Sequence, residues 1–267
     1  MLSWLNGALV ADPRLDPADR GFTLGDGLFE TIRLAGGRPR HLARHLDRLA
    51  AGCRVLDLPL PYDAATLAAA MGALARGQGL DEGVLRLTLS RGPGPRGLLP
   101  PAVPRPTLLL TLAPSAPPPG PARLVIATVT RRNEHSPLAR IKSLNYLDNL
   151  LARQEAARRG ADDALLLNSQ GRAADSAIAT LLVRLDGRIV TPPVADGALP
   201  GIARALALEA GLAEEAPLTP ADLARADAAV LANSLGVRAV ISLDDRPLAP
   251  CDALVRALVT RLLTDPT

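Results

Sequence analysis

Arg140-Ile141-Lys142-Ser143-Leu144-Asn145-Tyr146 is the stretch on which the reading of this chain turns, because Lys142 is the sole lysine among 30 lysines and arginines. Arginine replaces lysine wherever only a cation is needed. It cannot replace a primary amine that must lose its proton and condense with a carbonyl. A bias toward Ala, Gly, Pro and Arg has nearly emptied the chain of lysine, so the survivor is a candidate nucleophile. Chance survival at an exposed position is the competing reading, and this fact alone leaves both open. Among apolar neighbours an ammonium is disfavoured and deprotonates near neutral pH; an ordinary surface lysine does not.

Outward from this stretch, composition sets bounds. With 267 residues the chain fills one large domain or two modest ones, and 48% hydrophobic residues exclude a disordered or fibrous class. Met1 to Gly7 has neither the basic start nor the apolar run of a signal peptide, and no stretch reaches the ~20 apolar residues of a membrane span. Cys53 and Cys251 are far apart and are expected to be two buried thiols of a cytoplasmic enzyme. The net charge of +3 is spread along the chain and aromatic residues are 2%. No basic run or stacking platform marks a nucleic-acid surface.

Asn6-Gly7 predicts a hairpin between strands at 2–5 and 8–10. A third strand is expected over 28–34, helices over 41–56 and 64–75, and strands over 84–89 and 107–112. In Ala113-Pro114-Ser115-Ala116-Pro117-Pro118-Pro119-Gly120-Pro121 the prolines remove backbone donors and stiffen the chain. The expected division is therefore a domain over 1–112, a linker over 113–122 and a larger domain over 123–267. Beyond the linker the pattern predicts strands over 123–128 and 163–167, and helices over 147–159 and from Pro200-Gly201 to about 210. It also predicts a hairpin over 180–191 turning at Asp186-Gly187, strands over 228–232 and 238–243, and a final helix over 253–263.

The cofactor that uses such an amine is pyridoxal 5'-phosphate (PLP). It asks the protein for an amine, an anion site, a partner for the pyridine nitrogen and a substrate pocket. Gly197-Ala198-Leu199-Pro200-Gly201-Ile202-Ala203-Arg204 sets a turn at a helix start, where free amides and the helix dipole attract an anion. Asn233-Ser234-Leu235-Gly236 is a second candidate turn, or a plain loop. Arg48, in His45-Leu46-Asp47-Arg48-Leu49, is a candidate cation, although any helix carries such arginines.

Taken in order, these pieces resemble the class IV aminotransferase family, the fold-type IV PLP enzymes. That family includes branched-chain aminotransferases, D-amino-acid aminotransferases and aminodeoxychorismate lyases. The likeness runs through Gly25-Asp26-Gly27-Leu28-Phe29-Glu30-Thr31, the His45 to Leu49 helix, Ser90-Arg91-Gly92-Pro93-Gly94-Pro95-Arg96-Gly97, Lys142, Leu199 to Arg204, and Asn233-Ser234. It implies an α/β (α+β) two-domain fold, with a small N-terminal α/β sandwich and a larger C-terminal pseudo-barrel. It implies that Lys142 condenses with PLP. Arg48 and the amides of Ile202 and Ala203 would hold the phosphate, with help from Ser234 and Leu235. Phe29, Glu30 and Arg96 would line the substrate site, and the chain would form a homodimer. Asp175 stands where the family normally has a glutamate against the pyridine nitrogen; it keeps the charge but is one methylene shorter. Thr180 and Leu182 replace the usual asparagine and phenylalanine.

The short chain and the 90–97 run lean toward the lyase, which converts aminodeoxychorismate to p-aminobenzoate and pyruvate. A branched-chain or D-amino-acid aminotransferase is the alternative, and a non-catalytic PLP-binding relative a second. Other signals read more plainly. Glu30 could equally be a paired strand residue, Arg96 a solvated loop arginine, and Tyr146 a packing residue. His41 and His45, four apart on a helix with no third ligand, are expected in surface or capping roles rather than on a metal. Gly25-Asp26-Gly27 lacks the spacing of a dinucleotide fingerprint.

Overall fold

The computed structural model describes residues 2–264. They form two compact units: 2–117 together with Ile141–Asn145, and the rest. The return of Ile141–Asn145 to the first unit is absent from a division made at the proline-rich connector. Lys142 thus groups with the N-terminal residues.

The first unit has one antiparallel six-stranded sheet, ordered β2-β1-β6-β5-β3-β4. Its strands are β1 (Ser3–Leu5), β2 (Ala8–Val10), β3 (Gly27–Ala35), β4 (Arg38–Pro39), β5 (Gly83–Ser90) and β6 (Thr107–Pro114). The helices are α1 (Arg20–Leu24), α2 (Leu42–Leu56) and α3 (Ala64–Gln78). Strand alternation sorts the side chains. Leu28, Ile32 and Leu34 of β3, Leu85, Leu87 and Leu89 of β5, and Leu108, Leu110 and Leu112 of β6 pack in one cluster. Leu46, Leu49 and Cys53 of α2 and Leu67, Met71 and Leu74 of α3 complete it. Each such side chain contributes about 1.5–3 kcal/mol on burial. Phe29 pairs with Thr88, and Thr31 with Arg86; directly paired residues share a face, here the one opposite the leucines.

The second unit carries α4 (Leu147–Arg158), β7 (Ala122–Ile126), β8 (Asp163–Leu167), β9 (Ala173–Ser176), β10 (Thr180–Leu185), β11 (Arg188–Thr191), α5 (Ile202–Glu209), β12 (Glu214–Glu215), α6 (Pro220–Arg225), β13 (Ala228–Asn233), β14 (Gly236–Leu243), β15 (Arg246–Pro247) and α7 (Asp252–Val259). Its mixed sheet runs β12-β11-β10-β13-β14-β7-β8-β9, with β15 on β14. The sheet curls, because β9 at one end contacts β10 near the other. Leu165 and Leu167 of β8 accordingly share a cluster with Leu181 and Val183 of β10. On the other face α5 and α7 cover Leu182, Val230 and Ala232.

The periodic helices and the longer strands stand within a few residues of expectation. The expected terminal helix ends as α7 at Val259, and a π-turn, Thr260–Thr264, follows. The short elements α1, α6 and β9 escaped the pattern because five or six residues hold too little periodicity. One expectation is corrected outright. His41 and His45 are buried, at 6% and 0% exposure, and His41 starts α2 with no side-chain cap hydrogen bond. Both thiols are buried and free, and burial pushes Cys53 up to about 11. Among the described residues no helix is long and apolar enough to cross a membrane.

Candidate active site

Each unit supplies its own set of candidate groups. In the first, Lys142 is held by backbone pairing. Its carbonyl accepts from the Phe29 amide at 2.9 Å, and the Leu144 amide donates to the Gly27 carbonyl at 2.9 Å. Ser143 bridges Leu28. This added strand lies at the end of β3 where Gly27 allows close approach: a Cβ there would come within 2.3 Å of the Leu89 carbonyl. The half-buried Lys142 places Nζ 4.4 Å from the centre of the Phe29 ring. The Arg86 guanidinium sits 4.1 Å from the same centre. A cation on an aromatic face is attracted by the ring quadrupole, so Phe29 orients both. Arg86 was missed in the sequence. Its signal was a charge in an otherwise apolar strand, on the face that alternation gives to Phe29.

Glu30 takes the opposite face. It is 1% exposed and lies beneath α2 with Leu28 and Ile32. Arg48 donates to it through Nε at 2.8 Å and Nη2 at 2.6 Å, and His45 Nδ1 lies 2.6 Å from Oε2. Burial alone would raise the Glu30 carboxyl, but the hydrogen bonds from Arg48 and His45 outweigh it and hold it below its ordinary value. Burial lowers His45 below its ordinary value, against the opposing pull of Glu30. The structure therefore brings Arg48 and Glu30 together as a fork-to-fork pair and places Phe29 with Lys142. Arg96 is exposed in the loop after β5.

In the second unit Asp175, 4% exposed on β9, accepts from the Leu199 amide through Oδ2 at 2.7 Å. That bond ties the carboxylate to the turn that opens α5. The turn ends at Gly201, the N-cap of α5, which has no side-chain cap hydrogen bond. The amides of Ile202 and Ala203 thus begin the helix with no side chain across them. A Cβ at Gly201 would meet Thr180 Oγ1 at 2.9 Å, so the glycine lets the turn pack against Thr180. Arg204 is buried and committed to the Pro192 carbonyl and to Glu215. Ser234 and Leu235 form the two-residue turn between β13 and β14. The Leu235 amide already donates to Asn233 Oδ1 at 2.9 Å.

An amine, a buried carboxylate and an uncapped helix start backed by glycine are the kinds of group that PLP requires. The residues present fit it.

Comparison with known proteins agrees. The family model for amino-transferase class IV matches residues 27–243. A protein of Methanocaldococcus jannaschii, named as a branched-chain-amino-acid aminotransferase, is 33% identical over 85% of this chain and 82% of its own. The D-alanine aminotransferase of Listeria innocua is 30% identical over 81% and 75%. The crystal structure of 4-amino-4-deoxychorismate lyase from Pseudomonas aeruginosa is 34% identical, with a TM-score of 0.85, over 99% of this chain and 100% of its own. These matches, with the two sheets and the groups they carry, make this chain a PLP-dependent enzyme of the class IV aminotransferase family.

Proposed function

We propose that this enzyme is a 4-amino-4-deoxychorismate lyase, releasing p-aminobenzoate and pyruvate. The observation that carries the reading is the end-to-end match, 34% identical, to the Pseudomonas aeruginosa lyase. PLP, when bound, supplies an aldehyde that condenses with amines and a ring that accepts electron density. Lys142 Nζ would be the residue that holds it, and its free amine would be the group that moves a proton. Asp175, its orientation set by the Leu199 amide, would supply the carboxylate that pairs with the pyridine nitrogen. Arg48, Ile202, Ala203, Ser234 and Leu235 would be the residues that hold the phosphate. Of these, the Leu235 amide is engaged with Asn233 and must exchange partners to take part. Glu30 acts from behind, as the anchor of Arg48. Phe29 lies beside Lys142, and Arg86 and Arg96 are candidate cations for a substrate carboxylate.

Incubation of purified protein with aminodeoxychorismate is expected to yield p-aminobenzoate and pyruvate in equal amounts; no p-aminobenzoate ends the reading. The aminotransferase reading is favoured by the Methanocaldococcus and Listeria relatives. A keto-acid assay with L-leucine, D-alanine and an aromatic amine decides it. The enzyme is further proposed to be a homodimer. Phe22, Leu98, Leu99 and Val103 of the first unit are each about four-fifths exposed and are apolar side chains that a subunit interface would cover. Sedimentation equilibrium is expected to give twice the chain mass.

A further inference from the structure

We infer that His45 is a positioning residue: acting through Glu30, it fixes the orientation in which Arg48 meets the anionic end of the cofactor. The inference rests on the assignment of Arg48 to the PLP phosphate made above. His45 is 0% exposed, and its Nε2 reaches no donor or acceptor among the described residues. Its other nitrogen, Nδ1, lies 2.6 Å from Glu30 Oε2. Glu30 is ionised and can only accept, so Nδ1 carries the proton and donates. A buried ring nitrogen without a partner costs stability, and an apolar residue of similar size would not carry that cost. Packing alone thus favours leucine at this position. What the imidazole adds is the one bond to Glu30.

That bond constrains the arginine. Arg48 gives Glu30 its Nε proton and one Nη2 proton, which leaves three of the five guanidinium N–H groups directed elsewhere. The terminal torsion of a glutamate is broad. With Arg48 as its sole partner, the carboxylate could turn and carry the guanidinium fork with it. A third donor, on a ring packed within α2, pins the carboxylate plane and with it the edge that Arg48 presents.

The test uses the wild type, Arg48→Met, His45→Leu and His45→Asn, each titrated at equilibrium with PLP and with pyridoxal, which lacks the phosphate, by visible absorbance. The wild type is expected to prefer PLP, and Arg48→Met to lose that preference. His45→Leu is expected to reduce the preference about tenfold while the pyridoxal affinity holds. His45→Asn sets an amide nitrogen where Nδ1 stood and is expected to restore the preference. An unchanged preference in His45→Leu, beside a collapsed one in Arg48→Met, overturns the role of His45 and leaves that of Arg48 standing. An unchanged preference in Arg48→Met overturns the assignment of Arg48 itself. Should His45→Leu fail to fold, the wild-type imidazole reports directly, since the chain has three histidines. Nitrogen NMR is expected to show a neutral, Nδ1-protonated His45 whose shift moves with PLP and not with pyridoxal. An Nε2-protonated ring, or an equal response to both, overturns the inference.

Discussion

Asp26 shows how much one carboxylate can organise. Its Oδ2 accepts from Arg20 Nε and from Arg91 Nε, both at 2.8 Å. Arg20 then reaches the carbonyls of Gly97, Leu98 and Leu99, and Arg91 those of Leu56 and Asp57 at the end of α2. Burial alone would raise the Asp26 carboxyl, but hydrogen bonds from Arg91 and Arg20 hold it below its ordinary value. Replacing it with alanine leaves two buried guanidinium groups without their counter-charge, which costs about 3 kcal/mol or more. Urea unfolding of Asp26→Ala is expected to show a loss of that size; a change below about 1 kcal/mol would remove Asp26 from the centre of this network. None of this was legible in Gly25-Asp26-Gly27. The sequence shows that the motif is no nucleotide fingerprint, but one of the charge's two partners, Arg91, lies 65 residues away in the chain and is brought to it by tertiary folding.

Elements were more readable where a local rule suffices. Asn6-Gly7 and Asp186-Gly187 turn as expected because both residues of each pair adopt positive φ, 47° and 102° in the first, 51° and 79° in the second. Helix docking is less local, as Glu155 of α4 illustrates. It accepts from the amides of Thr128 and Val129 and from the Thr128 hydroxyl, and so fastens α4 to the chain leaving β7. Burial tends to raise Glu155, yet these bonds, with Arg159, bring it down to about 2 from 4.5. A carboxylate lowered on folding adds stability that is complete above its unfolded value, and the gain disappears as pH falls from 4.5 through about 2. The contribution near neutral pH is about 2–3 kcal/mol. The stability gap between wild type and Glu155→Gln is therefore expected to hold above about pH 5 and to narrow from there toward about pH 2 in urea titrations. A gap that ignores pH would mean that Glu155 does not hold α4 through its charge.

At the scale of the whole molecule, chain-wide composition pointed to the amine, and alternation in one sheet then decided which neighbours it has. Phe29 and Glu30 are adjacent in sequence yet face opposite sides of β3, one toward Lys142 and one toward Arg48. Strand pairing was needed to separate them. The scarcity of lysine also makes the central chemistry unusually easy to test. In most proteins an aldehyde cofactor at high concentration decorates many surface amines, and reduction gives a mixture. Here one side-chain amine exists, and the backbone bonds of 142 and 144 to β3 fix its place. Treating the folded protein with PLP and then borohydride is expected to attach one pyridoxyl group at Lys142, apart from any on the terminal amine, and mass spectrometry of the peptides locates it. Lys142→Arg keeps the cation over Phe29 and removes the nucleophile. It is expected to lose the adduct and the visible band while its thermal midpoint without cofactor stays near the wild-type value. An adduct at the terminus alone, with Lys142 unmodified in folded protein, would mean that this amine is not placed to meet the aldehyde.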